Sequence, residues 1–241
     1  MKRLLRTILL FFLLSVQIFA QKNDFEKELY IGVGGGALMS SVDFLPTVLQ
    51  KSNLGIHGGI SAKYISEKHL GLLLELNYAQ RGWTEDFPAE SGFTYSKTLN
   101  YLEIPFMTHV YFGKKVRFII NAGPQLGFLL GSSDNMNEAL AADITAKRQQ
   151  EPERLIGMQY VSEPKRFDYG IIGGVGMEFK TGVGNMALEG RYYFGLADLF
   201  RNRKTGDKEE TEEIELKDRF FFNRSSHRII EAKLSYFFKM K

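Results

Sequence analysis

Three arrangements in the sequence could do chemistry. Ser225-Ser226-His227 sets a hydroxyl beside an imidazole. A hydrolase would need that pair plus a carboxylate, for which Asp168 or Glu189 would have to serve. Gly32-Val33-Gly34-Gly35-Gly36 and Ile171-Ile172-Gly173-Gly174-Val175-Gly176 have the glycine density of phosphate-cradling loops. The third arrangement is a set of charges set into apolar stretches: Lys63, Glu75, Arg81, Glu103, Arg117, Asp168, Glu178, Glu189, Arg191, Glu231 and Lys233.

The first two arrangements lose force on inspection. A phosphate loop must open onto a helix N-terminus, and both glycine runs lie inside strand patterns, where close packing in a narrow interior accounts for them. The four histidines, His57, His69, His109 and His227, have no metal-ligand spacing. There is no Cys, hence no thiolate site and no disulfide. The expectation is no catalytic, cofactor or metal site. An outer-membrane hydrolase using Ser226 and His227 is kept as an alternative.

The charges make sense once the elements that carry them are read. In Leu70–Arg81 the even positions are Leu70, Leu72, Leu74, Leu76 and Tyr78, while Glu75, Asn77 and Arg81 share the odd set. Side chains alternate across a strand, so this is a strand between two unlike environments. The same alternation runs through Leu29–Met39, Leu54–Tyr64, Leu102–Phe112, Arg117–Phe128, Asp168–Phe179, Met186–Gly195 and Ile230–Phe238. That predicts eight strands, each near the roughly 9–11 residues that cross a bilayer at a tilt.

Connections alternate in length. Long ones are expected at Ser40–Asn53, Trp83–Leu99, Gly131–Arg166 and about Ala197–Ser226. Tight turns are expected at Glu67-Lys68, Gly113-Lys114-Lys115 and Thr181-Gly182-Val183-Gly184. The fold predicted is all-β: an eight-stranded antiparallel up-and-down transmembrane β-barrel with short periplasmic turns and long extracellular loops. Two groups of aromatics agree with it. Tyr64, Phe112, Phe118, Phe179 and Phe238 flank the short turns, and Tyr78, Phe128, Phe167, Tyr169 and Phe194 flank the long loops. A soluble lipocalin also has eight strands, but its apolar set points inward. Here the apolar face carries no charge at its centre and the polar face is rich in glycine, which suits a narrow lumen. The interleaved charges then form a lumen polar network of Lys63, Glu75, Arg81, Glu103, Arg117, Glu178, Glu189, Arg191, Glu231 and Lys233, joined by Asp168, with His57 and His109 as further members.

The N-terminus reads as an export signal. Lys2, Arg3 and Arg6 precede the apolar run Ile8–Val16, and Ala20 precedes Gln21. Residues 1–20 are the expected signal peptide and 21–241 the barrel domain. No Cys follows the apolar run, so a lipoprotein is excluded. The net charge of +3 resides in that segment, and the remainder has 28 basic and 28 acidic side chains. Such a balance excludes nucleic acid as a partner class. The partners expected are outer-membrane lipid and a protein engaged through the long loops. Within those loops, Asp134–Arg154 spaces Met136, Leu140 and Ile144 four apart behind Ser133-Asp134, predicting a short amphipathic helix over the barrel mouth. Asn202–Arg219 is charge-dense and reads as a solvated tip.

Tyr101-Leu102-Glu103-Ile104-Pro105, Asn121-Ala122-Gly123-Pro124 and Tyr169-Gly170-Ile171-Ile172-Gly173-Gly174-Val175-Gly176 resemble the PorT-like outer-membrane β-barrel family of Gram-negative bacteria. The resemblance spans essentially the whole chain after residue 20. It implies a barrel without family catalytic residues, and its namesake is linked to a secretion and gliding apparatus. The chain departs from outer-membrane barrels generally at its end, where Phe238 is followed by Lys239-Met240-Lys241 in place of a terminal aromatic. The function expected is non-enzymatic, accessory to protein secretion or surface interaction; a small-solute or lipid-handling barrel is the further alternative.

Overall fold

The computed structural model describes residues 25–150, 160, 163–200 and 224–240. The segment read as a signal peptide and the charge-dense stretch Asn202–Arg219 lie outside the described residues. Eight antiparallel strands close into a barrel in sequence order: β1 (Glu28–Leu45), β2 (Gln50–Glu67), β3 (Leu70–Glu85), β4 (Tyr95–Gly113), β5 (Val116–Met136), β6 (Phe167–Lys180), β7 (Asn185–Gly195) and β8 (Arg224–Lys239). The ring is sealed where β1 pairs with β8, from Tyr30↔Lys239 to Leu45↔Arg224. Closure leaves no strand edge, so every strand finds backbone partners on both sides, as a lipid environment demands.

The apolar alternation faces outward. Leu72, Leu74 and Leu76 are exposed, as are Ile60, Phe118, Val175, Leu188 and Leu234, while the odd positions of β3 are buried. Glycines supply interior room: a side chain at Gly59 would run into Asn77 and the Leu76 carbonyl.

The strands at the long-loop end are longer than the apolar-outward pattern predicts. β1 runs to Leu45, β3 to Glu85 and β5 to Met136, while β4 begins at Tyr95. Much of what reads as the loops Ser40–Asn53 and Trp83–Leu99, and the first part of Gly131–Arg166 up to Met136, is therefore paired sheet. The reason is a reversal of polarity. Past Tyr78 and Leu102 the outward residues are Gln80, Thr84, Asn100, Thr98 and Ser96, and the inward ones include Trp83, Tyr101, Leu99 and Tyr95 beside the charged Arg81, Glu85 and Lys97. A count tuned to apolar-outward residues stops at that boundary although the hydrogen bonding continues.

The expected helix exists as α1 (Glu138–Gln150), but its cap is not Ser133-Asp134. Those residues are held in β5, opposite Thr98 and Lys97. Asn137 caps instead: its Oδ1 accepts from the Leu140 N–H at 3.2 Å and the Thr94 N–H at 3.3 Å, and its Nδ2 donates to the Gly92 carbonyl at 2.7 Å. One side chain thus starts the helix and ties it to the β3–β4 loop. Leu140 and Ile144 turn down into the barrel mouth, where both are buried.

Candidate functional site

The lumen is built in tiers because inward positions recur every second residue on all strands. Nearest the short turns, Lys63 on β2 pairs with Glu178 on β6, and Arg117 Nη1 approaches Glu178 Oε1 at 3.3 Å. Asn185 Nδ2 donates to the same Oε1 at 3.1 Å. Lys63 lies over the rings of Phe237 and Tyr30, at 4.0 and 5.0 Å, and Arg117 lies 4.2 Å from the Tyr111 ring.

The middle tier centres on Glu75. Arg191 grips it with two parallel bonds of 2.8 and 3.0 Å, and Lys233 Nζ donates to it at 2.6 Å. Such a fork holds both partners in one orientation. Arg191 also reaches Glu189 at 2.7 Å, and Asn121 bridges Glu189 to His109. In the upper tier Arg81 donates through Nε to Glu103 at 2.6 Å and through Nη1 to Asp168 at 2.5 Å. Its guanidinium lies 4.6 Å from the Tyr101 ring and 4.7 Å from that of Tyr193, whose hydroxyl donates to Asp168 at 2.8 Å. Every charged residue assigned to the lumen from sequence is buried, and His57 sits 4.0 Å from Glu231.

Above the Arg81 tier the interior becomes apolar. Val42, Phe44, Trp83, Tyr95, Leu99, Leu140, Ile144, Leu199 and Phe200 close the mouth. Trp83 meets Phe44 edge-on at 5.2 Å and Phe200 at 6.2 Å. Ser225 fixes Leu199 and Phe200 in place: its carbonyl accepts from the Leu199 N–H at 2.6 Å and its hydroxyl from the Phe200 N–H at 3.0 Å. Tyr95 donates to Asp134 at 2.7 Å; burial, and then that hydrogen bond, push its phenol well above the usual tyrosine range. Sequence reasoning placed Leu140 and Ile144 over the mouth but missed the strand residues of the roof, whose one available sign was parity, since Trp83 continues the inward count from Glu75 through Arg81.

The hydrolase residues are not assembled. Ser226 and His227 are consecutive in β8 and face opposite sides of the sheet. The His227 ring packs edge-on against Tyr101 at 5.7 Å. Asp168 is engaged by Arg81 and Tyr193, and Glu189 by Arg191 and Asn121. No group of three metal-binding side chains occurs among the described residues.

A closed eight-stranded ring with apolar residues outside and ion pairs inside defines an integral β-barrel membrane protein. The chain belongs to the outer membrane protein beta-barrel domain family, which it matches over residues 19–201. It is similar in structure to Neisserial surface protein A (13% identity, 90% of this chain and 100% of that one covered, TM-score 0.43). It is similar also to Ail, the attachment invasion locus protein of Yersinia pestis (12%, 90% and 100%, 0.41), and to the outer membrane protein OprG from Pseudomonas aeruginosa (10%, 88% and 96%, 0.47). No curated protein matches the chain.

Proposed function

We propose that this outer-membrane barrel is a non-enzymatic, PorT-like scaffold exported by its N-terminal signal, accessory to secretion or surface interaction. Its long-loop end faces outward and carries the protein-binding surface, and lipid surrounds the waist. One observation carries this reading: the strands continue past the apolar belt and end in a packed roof rather than an open mouth. A roofed, ion-paired interior suits a platform better than a solute path. The separation of Ser226 from His227 supports a role without hydrolysis.

The lack of cysteine makes the test clean. Glu90→Cys lies in the β3–β4 loop and Lys114→Cys in the β4–β5 turn. A membrane-impermeant maleimide applied to whole cells is expected to label the first and spare the second. The purified protein in a planar bilayer is expected to pass no steady current. Labelling of Lys114→Cys from outside would invert the orientation, and a stable conductance would favour the solute-handling alternative.

A further inference from the structure

The lumen charges do not balance. Between the roof and the short turns the described residues place five cations inside, Lys63, Arg81, Arg117, Arg191 and Lys233. Against them stand six carboxylates: Glu75, Glu103, Asp168, Glu178, Glu189 and Glu231. Every cation contacts at least one carboxylate, and five of the six carboxylates are taken up in this way. The sixth is Glu231. It is 3% exposed, Oε1 has no hydrogen-bond partner, and no Lys or Arg among the described residues lies within ion-pair distance. A buried carboxylate left in that state is strongly unfavourable.

One group faces it. His57 is 5% exposed, and its Nδ1, 4.0 Å from Glu231 Oε2, is also without a partner. The other ring nitrogen, Nε2, is 3.4 Å from the Ala232 carbonyl, which can only accept. That contact puts the ring proton on Nε2 and leaves a lone pair on Nδ1 pointing toward the carboxylate. Two acceptors with no hydrogen between them are mutually unfavourable. One added hydrogen turns the contact into a charge-assisted bond.

We propose that the lumen binds a single proton between Glu231 and His57, which brings six negative and five positive side chains to neutrality. The proton comes from solvent, and the Glu231 Oε2–His57 Nδ1 gap closes when it is seated. The groups around the seat favour one proton rather than two. Burial, Glu75 from β3 and Glu103 from β4 favour a proton at the seat, while Arg191 from β7, Arg81 from β3 and Lys233 on β8 itself oppose it, so one proton is taken up and not two.

The test is Glu231→Gln, which has the shape and charge of the protonated acid, compared with wild type and Glu178→Gln in detergent-refolded full-length protein. At about pH 7 the unfolded chain carries neither proton, since a free carboxylate is ionised and a free imidazole mostly neutral. The folded state therefore binds one proton more, and wild-type stability must fall as pH rises. Between about pH 6 and about pH 9 the wild-type unfolding midpoint is expected to drop. The Glu231→Gln midpoint should match wild type at the acid end and stay level. Glu178→Gln strips Lys63 and Arg117 of their partner, so its midpoint should be lower throughout while keeping the wild-type slope. Replacing sodium by a bulky organic cation should leave all three curves in place. Parallel wild-type and Glu231→Gln curves would overturn the proposal, as would a Glu231→Gln midpoint as low as that of Glu178→Gln, or curves that move with sodium.

Discussion

Followed from Gly71 to Glu85, the single strand β3 passes through two opposite environments, with one register shift against β2 between Ser52 and His57. In its first half Leu72, Leu74 and Leu76 face out and Leu73, Glu75 and Asn77 face in; in its second half Gln80 and Thr84 face out and Trp83 faces in. β4 makes the same exchange in the reverse chain direction, with Tyr95 and Leu99 inside above and Glu103 and His109 inside below. One barrel is thus two proteins end to end. The lower part turns apolar residues to hydrocarbon and keeps its ion pairs inside, beside buried apolar side chains such as Leu73, Met107 and Ile119. The upper part turns polar residues outward over a largely apolar core. The boundary lies at the row Tyr78↔Leu102↔Phe128↔Phe167, where rings are suited to a water–lipid interface.

The contrast is best broken with substitutions that should matter in one half and not the other. The largest loss is expected from Trp83→Ala, about 3–5 kcal/mol by denaturant unfolding in lipid vesicles, because it empties the roof. Next is Leu74→Arg on the lipid face, at about 2–4 kcal/mol for a charge toward the bilayer centre. The matching outward change above the boundary, Thr98→Arg, should stay within about 0.5 kcal/mol; equal losses from the two arginines would erase the distinction. Asn137→Ala should cost about 1 kcal/mol as a lost cap, read as faster protease cleavage at α1 with the barrel intact.

The smallest effect belongs to the short-turn opening, where Lys239 Nζ donates to Glu28 at 2.7 Å and Tyr30 donates at 2.8 Å. Burial alone would raise the Glu28 carboxyl, but these donors carry it below its ordinary range, and the bond to Glu28 raises Lys239. The Glu28 contribution is therefore present above the usual carboxylate range and lost as pH falls through the depressed value. The Lys239 contribution is lost only in strong alkali. Acid titration of the unfolding midpoint should show a shallower decline for Glu28→Gln than for wild type.

The barrel and its interior charges were legible because a period of two and a one-sided apolar face are both written along each strand. Leu72, Leu74 and Leu76 set the lipid face, and parity alone placed Glu75, Arg81 and Asp168 inside. The helix over the mouth was legible from the spacing of Leu140 and Ile144, but the strand part of the roof was not: its alternation has the opposite sense, so Trp83, Tyr95 and Leu99 read as loop. Pairing was harder still. Nothing in the sequence distinguishes Glu178, shared by Lys63 and Arg117, from Glu231, which has neither, because that depends on stagger between strands far apart in the chain.

The β1–β8 seam has a consequence for biogenesis. Its two sides are the first and last of the eight strands to leave the ribosome, so the cylinder cannot be completed until β8 has been made. Until then both margins stay open and ready to pair with other chains. Contacts so remote along the polypeptide make for slow maturation. The nascent chain must accordingly be escorted unfolded to its destination, and a nonsense codon anywhere before Arg224 would leave a product that never closes.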